Sequence, residues 1–270
     1  MSTEEFEKQV NFLIITSRKN PTVSDFRLLL RERKEREKAG VFVIEGIKMT
    51  EEAVKTGCVF TQIMMTAAAE EKYTERLKST LKSVPVTIIS EDIAEYISDT
   101  KTPQGIFAAI KTLDKVEISD KIKNGTRLMI LDSLQDTGNI GTIIRTCDAF
   151  GTDALILSDD CADIYSPKVV RATMGSLFRL PCIKAELTEI IPKLREYKYT
   201  VYGAVLDENA KALGSFSFPE KTAVVIGNEG NGISPAVKEL CDAGVFIPMK
   251  SAESLNAAVA AGILAYSVRK

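Results

Sequence analysis

Leu128-Met129-Ile130-Leu131-Asp132-Ser133-Leu134-Gln135-Asp136-Thr137-Gly138-Asn139-Ile140-Gly141 decides the fold class. It is a short apolar run, then a polar turn-forming stretch, then the opening of a helix, the repeating unit of α/β proteins. Four further apolar runs, Ala154–Leu157, Thr200–Leu206, Ala223–Ile226 and Val245–Ile247, are each followed by a loop and a helix-like segment. Such runs predict parallel strands covered by helices on both faces. Upstream, a helical stretch from Ser24 to Lys38 leads into strands at Val41–Glu45, Val59–Met65, Val86–Ile89 and Gly105–Ile110, with helices at Lys48–Thr56, Glu70–Leu81 and Asp92–Ile97. These make a smaller α/β unit. The polar stretch Thr112–Thr126, with Asp114, Lys115, Asp120, Lys121, Lys123 and Gly125, reads as a linker. The expected division is 1–112, a linker at 113–126, and 127–270.

The 270 residues are 45% hydrophobic and 27% charged, which suits two globular cores and excludes a disordered chain. Met1 to Val10 carries three glutamates and no apolar core, and no later stretch approaches the ~18 uninterrupted apolar residues of a membrane span. A cytoplasmic protein with no membrane partner is expected. Cys58, Cys147, Cys161, Cys182 and Cys241 are scattered without a Cys-x-x-Cys pair and read as reduced, mostly buried thiols. There is no histidine. That excludes Ser-His and Cys-His catalysis and removes the commonest metal ligand, so no metal is expected.

Net charge is −2, which announces no polyanionic partner, but the run from Arg18 to Lys38 holds eight basic residues against four acidic ones. Two readings fit: a solvated helix face laced with i,i+4 pairs, or a phosphate-contacting patch that includes Arg18, Lys19, Arg31, Arg33 and Lys34.

In open α/β sheets ligands bind beyond the carboxyl ends of the strands, which directs attention to Asp132–Gly141, Gly227–Gly232 and Pro248–Asn256. Gly138-x-x-Gly141 is no dinucleotide fingerprint, Gly227 to Gly232 spells that fingerprint in reverse, and no Gly-x4-Gly-Lys-Ser/Thr occurs. Hydride transfer and P-loop phosphoryl transfer therefore lack their motifs. Turn chemistry alone would account for glycine and asparagine at each loop singly. The polar groups argue for more: Asn139 begins a helix that carries Arg145, Glu229 lies among glycines, and Ser254 and Asn256 open the last helix.

Asn139-x-Gly141-x-x-x-Arg145, Ile226-Gly227-Asn228-Glu229-Gly230-x-Gly232-Ile233, and Ile247-Pro248-Met249 followed by Glu253-Ser254-Leu255-Asn256-x-x-Val259-Ala260-x-Gly262-Ile263 resemble, in order and spacing, the three motifs of the SpoU (TrmH) family of RNA ribose methyltransferases. Tyr165 to Pro181 is similar to the segment that joins the first two motifs. The likeness is strong from Arg127 onward. Ile15 to Pro21 and Phe42 to Gly46 resemble, more weakly, the start of the family's substrate-binding domain. Ala258 is smaller than the third motif leads one to expect.

The resemblance implies a trefoil-knotted parallel-sheet SPOUT domain that dimerises, preceded by a smaller α/β RNA-binding domain. It implies methyl transfer from S-adenosylmethionine to a ribose 2′-hydroxyl in structured RNA, with 23S ribosomal RNA favoured. Transfer RNA methylation and a non-catalytic RNA-binding module are the alternatives. By motif position Asn139, Arg145, Glu229, Ser254 and Asn256 surround the reaction, while Leu206, Gly227, Asn228, Gly230, Ile247, Met249 and Leu255 cradle the cofactor; Lys168 and Arg171 join the RNA contacts. The family's favoured base is the first-motif arginine. A guanidinium with a pKa above 12 is ordinarily a donor, so Arg145 reads better as a clamp on phosphate or ribose, with the proton passing to water or Glu229.

Overall fold

Asn20 and Pro21 open the first helix, α1 (Pro21–Arg31), in the computed structural model, which describes residues 14–113, 118–251 and 254–269. The Asn20 side chain accepts from the Thr22 N–H at 2.9 Å, and proline suits the first helical position. The single helix expected over 24–38 is two. Glu32 is extended (φ −107°, ψ 115°), and a second helix, α2 (Arg33–Ala39), starts after it. Arg36 turns inward instead of facing solvent, and its guanidinium donates to the Leu29 carbonyl at 2.6 Å, supplying a partner to the last turn of α1. Gly40 ends α2 in the left-handed conformation (φ 61°) and drops the chain directly into β1 (Val41–Glu45).

The rest of this first unit is α3 (Ile47–Lys55), β2 (Phe60–Thr66), α4 (Ala67–Leu81), β3 (Val86–Ile89), α5 (Glu91–Ile97) and β4 (Ile106–Lys111). Its sheet has the order β1-β4-β2-β3, with β4 antiparallel to both neighbours and β2 parallel to β3. Val23, Phe26 and Leu30 of α1 and Ile93, Ala94 and Ile97 of α5 pack on one face, against Val43, Met64, Ile89 and Phe107. Helices α3 and α4 cover the strands from the other side.

The second unit comprises Leu113–Ile164 and Lys168–Lys270. Its sheet contains β5 (Arg127–Leu131), β6 (Ala154–Leu157), β7 (Cys182–Lys184), β8 (Thr200–Ala204), β9 (Lys211–Ala212), β10 (Thr222–Ile226) and β11 (Ala243–Phe246) in the order β7-β6-β5-β10-β8-β11-β9. Every neighbouring pair is parallel. β7 and β9 join the five expected strands, and each is too short and too polar to stand out as an apolar run. The helices are α6 (Ile118–Asn124), α7 (Thr137–Ala149), α8 (Pro167–Thr173), α9 (Leu187–Glu196), α10 (Pro235–Glu239) and α11 (Ala257–Val268).

Helix α6 corrects the linker. The expected linker 113–126 has residues 114–117 outside the described ones, but Ile122 is buried in the second unit's core and its carbonyl accepts from the Tyr199 hydroxyl at 2.9 Å. One buried apolar side chain on about two turns of helix suffices to dock a segment whose exposed side chains are polar. None of the five cysteines is in a disulfide; Cys147 and Cys161 are buried, while Cys58, Cys182 and Cys241 are half-buried. Burial pushes the Cys147 thiol up to about 12, which makes it inert.

Candidate functional site

Asp136 caps α7 by accepting from the Asn139 N–H at 2.7 Å, so the Asn139 side chain leaves the first turn pointing off the carboxyl edge of the sheet. Gly141, one half-turn on, could not carry a side chain, because a Cβ there would lie 2.4 Å from that of Ala172. After β10 the chain makes a loop held by Asn228. Its Oδ1 accepts from the N–H groups of Gly230 (3.0 Å) and Asn231 (3.1 Å), and its Nδ2 donates to the Ser133 carbonyl at 2.7 Å. Asn256 caps α11, accepting from the N–H groups of Ala258 and Val259.

These three loops are joined by one chain of side-chain hydrogen bonds. The Asn139 amide donates to Glu229 Oε1 at 3.0 Å, and the Asn256 amide donates to Asn139 Oδ1 at 2.9 Å. Glu229 also accepts from the N–H groups of Asp136 (3.2 Å) and Gln135 (3.4 Å). Because an ionised carboxylate only accepts, it fixes the orientation of the Asn139 amide, which in turn fixes that of Asn256. Partial burial works to raise the Glu229 pKa, but the hydrogen bond from Asn139 and those from backbone N–H groups outweigh it and hold the carboxyl below its ordinary value. Its contribution is therefore present above the ordinary carboxylate range and fades only as pH falls through the lower folded value.

Beside this chain lies a cavity of about 690 Å³. All seven residues expected at the cofactor, Leu206, Gly227, Asn228, Gly230, Ile247, Met249 and Leu255, line it, as do Glu229, Ser254 and Asn256. Ile226, Ile233, Val245 and Leu264 add apolar wall. Leu206 stands at 64% exposure, a large apolar side chain left open beside this cavity. Sequence reasoning missed Lys238, which lines the same space and donates to Asp207 at 2.8 Å; it lies outside any recurrent spacing. Among the described residues no cluster of three His, Cys, Asp or Glu could hold a metal ion, and no helix is long and apolar enough to cross a membrane.

Arg145 is not brought to this chain of amides. It is exposed on α7, six residues and hence about 240° around the helix from Asn139, and it lines neither this cavity nor the neighbouring groove. Among the described residues it makes no hydrogen bond or ion pair. Of the expected RNA contacts, Arg18, Lys19, Arg31, Lys34 and Lys168 are exposed, and Arg171 is half-buried. Arg33 pairs with Glu37 at 2.7 Å in the i,i+4 pattern of a solvated face.

A family model described as the SpoU rRNA Methylase family matches residues 126–266, and one described as the MRM3-like substrate binding domain matches residues 20–108. The 23S rRNA (guanosine(2553)-2′-O)-methyltransferase RlmP of Bacillus subtilis is 35% identical over 257 residues, which cover 94% of this chain and 98% of that protein. A 23S rRNA (uridine(2479)-2′-O)-methyltransferase of Streptomyces viridochromogenes is 31% identical, over 93% of this chain and 90% of that one. Among solved structures, the SpoU methyltransferase AviRb from Streptomyces viridochromogenes in complex with the cofactor AdoMet superposes with a TM-score of 0.82 at 30% identity, covering 92% of this chain and 97% of that one.

Proposed function

The chain belongs to the SpoU rRNA methylase family, and from that premise we propose that it methylates a ribose 2′-hydroxyl of 23S ribosomal RNA in the cytoplasm, using S-adenosylmethionine. The observation that carries this reading is the hydrogen-bonded chain Glu229–Asn139–Asn256 beside a cavity with both apolar wall and polar rim. That cavity suits the group: Ile226, Ile247, Leu255 and Leu264 offer an apolar bed for an adenine, and the Gly227–Gly232 loop brings backbone close to it. When bound, S-adenosylmethionine supplies an electrophilic methyl on sulfur. The protein's work is then to hold the ribose oxygen in line with that methyl and to stabilise charge developing on it.

Ser254 and the Asn256 amide orient the ribose, while Arg145, with five donors and no partner among the described residues, grips the phosphate or ribose. Glu229 orders the three loops and is a poor base, since its pKa is depressed and its oxygens are occupied; the hydroxyl proton passes to water. Glu229→Gln will therefore weaken S-adenosylmethionine binding about tenfold, the scale of one charge-assisted hydrogen bond, and keep kcat at saturation within a few-fold. Titration calorimetry with steady-state kinetics checks this, and a 10²–10⁴-fold loss of kcat would instead make Glu229 the general base. Transfer of labelled methyl to 23S rRNA, with mapping of the modified ribose, tests the reading as a whole. Label appearing only in transfer RNA would move the substrate, and none in any RNA would leave a binding module.

The same reading includes a homodimer. Helix α11 carries no charged residue from Ala257 to Val268, yet only part of its circumference is buried in its own unit. A helix apolar all round demands cover. Between α7 and α11 runs a mostly apolar groove of about 500 Å³ lined by Thr142, Phe150, Val259, Ile263 and Tyr266 among others, with Val259 51% and Tyr266 50% exposed. Asn139 and Asn256 line it too, so a second copy seated there would abut the site. Val259→Glu will convert a dimer to a 29.6 kDa monomer in light scattering and depress methylation with it.

A further inference from the structure

Two arginines of the first unit meet on one tyrosine, and a third stands one helical turn from one of them. The segment around Ile15 is pinned to the sheet edge, where the Ile15 N–H donates to the Ile88 carbonyl (2.9 Å) and the Ser90 N–H to the Ile15 carbonyl (3.0 Å). This fixes Arg18 beside α5, whose Tyr96 ring lies 4.7 Å from the Arg18 guanidinium carbon and 3.8 Å from that of Arg27 on α1. Arg31 follows Arg27 by four residues on α1, so the two share a face. Like charges at that spacing destabilise a helix. Among the described residues none of the three is paired with a carboxylate. Partial desolvation, and then the charges of Arg31 and Arg18, hold the Arg27 guanidinium below its ordinary pKa. By contrast Arg33 and Arg36 of the same run are committed to Glu37 and the Leu29 carbonyl.

We propose that Arg18 and Arg27, held by Tyr96, and Arg31, one turn beyond Arg27 on α1, form a phosphodiester-binding platform on the first unit that takes the RNA backbone. The cluster accumulates positive charge on rigid elements without internal neutralisation, and planar guanidiniums match phosphate oxygens in pairs. The ring limits the side-chain freedom of Arg18 and Arg27 through cation–π contact, so less motion is lost when phosphate arrives. The platform rests on the RNA-methylating reading for its ligand, but not for its geometry. Tyr96 and Arg27 become RNA-binding residues, and Arg33 leaves that set.

The test measures binding of the full chain to an in vitro transcribed bacterial 23S rRNA as a function of KCl. Arg27→Gln will flatten the slope of log affinity against log salt by about 0.7–0.9, and the combined Arg18→Gln, Arg27→Gln, Arg31→Gln variant by about 2–3. Tyr96→Leu, which changes no charge, will lower affinity several-fold. Arg76→Gln, which removes a charge already paired with Glu51 at 2.7 Å, will leave the slope unaltered. An unchanged slope in the triple variant, or an equal loss in the Arg76 control, overturns the platform. Displacement of the RNA by polyglutamate at equal charge concentration would point to an acidic protein ligand and overturn the RNA assignment. Methyl transfer by the unmodified chain reports separately on the functional reading: transfer with an unaltered slope condemns the platform alone, and a flattened slope without transfer condemns the reading alone.

Discussion

Gly227→Ala will abolish S-adenosylmethionine binding and lower the melting temperature. A Cβ on residue 227 would sit 2.1 Å from the Gly232 carbonyl carbon and 2.2 Å from the Ile233 nitrogen. Those are backbone atoms, and they cannot swing aside as a side chain can, because the loop is closed by reciprocal Asn228–Gly232 hydrogen bonds of 2.9 Å. The methyl must therefore push the whole 228–232 loop out of the cavity it lines. Overpacking of this kind costs about 1–3 kcal/mol, roughly 2–12 °C in a domain of this size at about 2–4 °C per kcal/mol. Calorimetric titration and a thermal melt check both halves. An alanine variant that binds normally would mean that the loop accommodates a close approach in some other way.

The second large effect falls on turnover and spares binding. Arg145→Lys will reduce kcat by about 10²–10³, the scale lost with one positioned donor, at every pH, with S-adenosylmethionine affinity unaltered. Lysine keeps the charge but loses the planar fork that grips phosphate or ribose oxygens in pairs. The position explains the separation of effects: Arg145 is exposed on α7 and lines no part of the cavity. Were the arginine the proton acceptor, a lysine in its place would act as a base once deprotonated, and the rate would climb steeply towards the lysine pKa. A pH profile of single-turnover methylation distinguishes the two, and such a climb would refute the clamp.

Much of the fold was legible because the second unit's strands are nearly pure apolar runs. Ala154–Leu157 and the core of β5 read from composition alone, since both faces of a parallel sheet are buried. β7 and β9 were not, because a strand of two or three residues gives no periodicity to detect. The break at Glu32 was hidden by a run of good helix formers, and the docking of α6 hung on Ile122 alone. In the site, the residue types and their order were visible, and so was the expectation that three loops meet. Which atom holds which was not: the Asn228 side chain ties its own loop at Gly230 and Asn231 to the loop of Ser133, a bridge between segments 95 residues apart. The donors that meet Glu229, from Asn139, Asp136 and Gln135, come from a segment 90 or more residues upstream and were not legible either. The grouping of Arg27 with Tyr96 depends on two helices lying side by side, and no local pattern encodes it.

The amide bridge between Asn139 and Asn256 spans 117 residues of chain. During synthesis at about 5–20 residues per second, the first partner is made roughly 6–23 s before the second. Through that interval the Asn139 carbonyl oxygen lacks its donor and the last wall of the cavity, Leu255 to Leu264, does not exist. A nascent chain is thus denied both cofactor and catalysis through that interval, although it is held at a ribosome, the class of particle to which the proposed substrate belongs. Competence arrives with α11, so a chain cut short before it yields an inert protein rather than an unregulated enzyme.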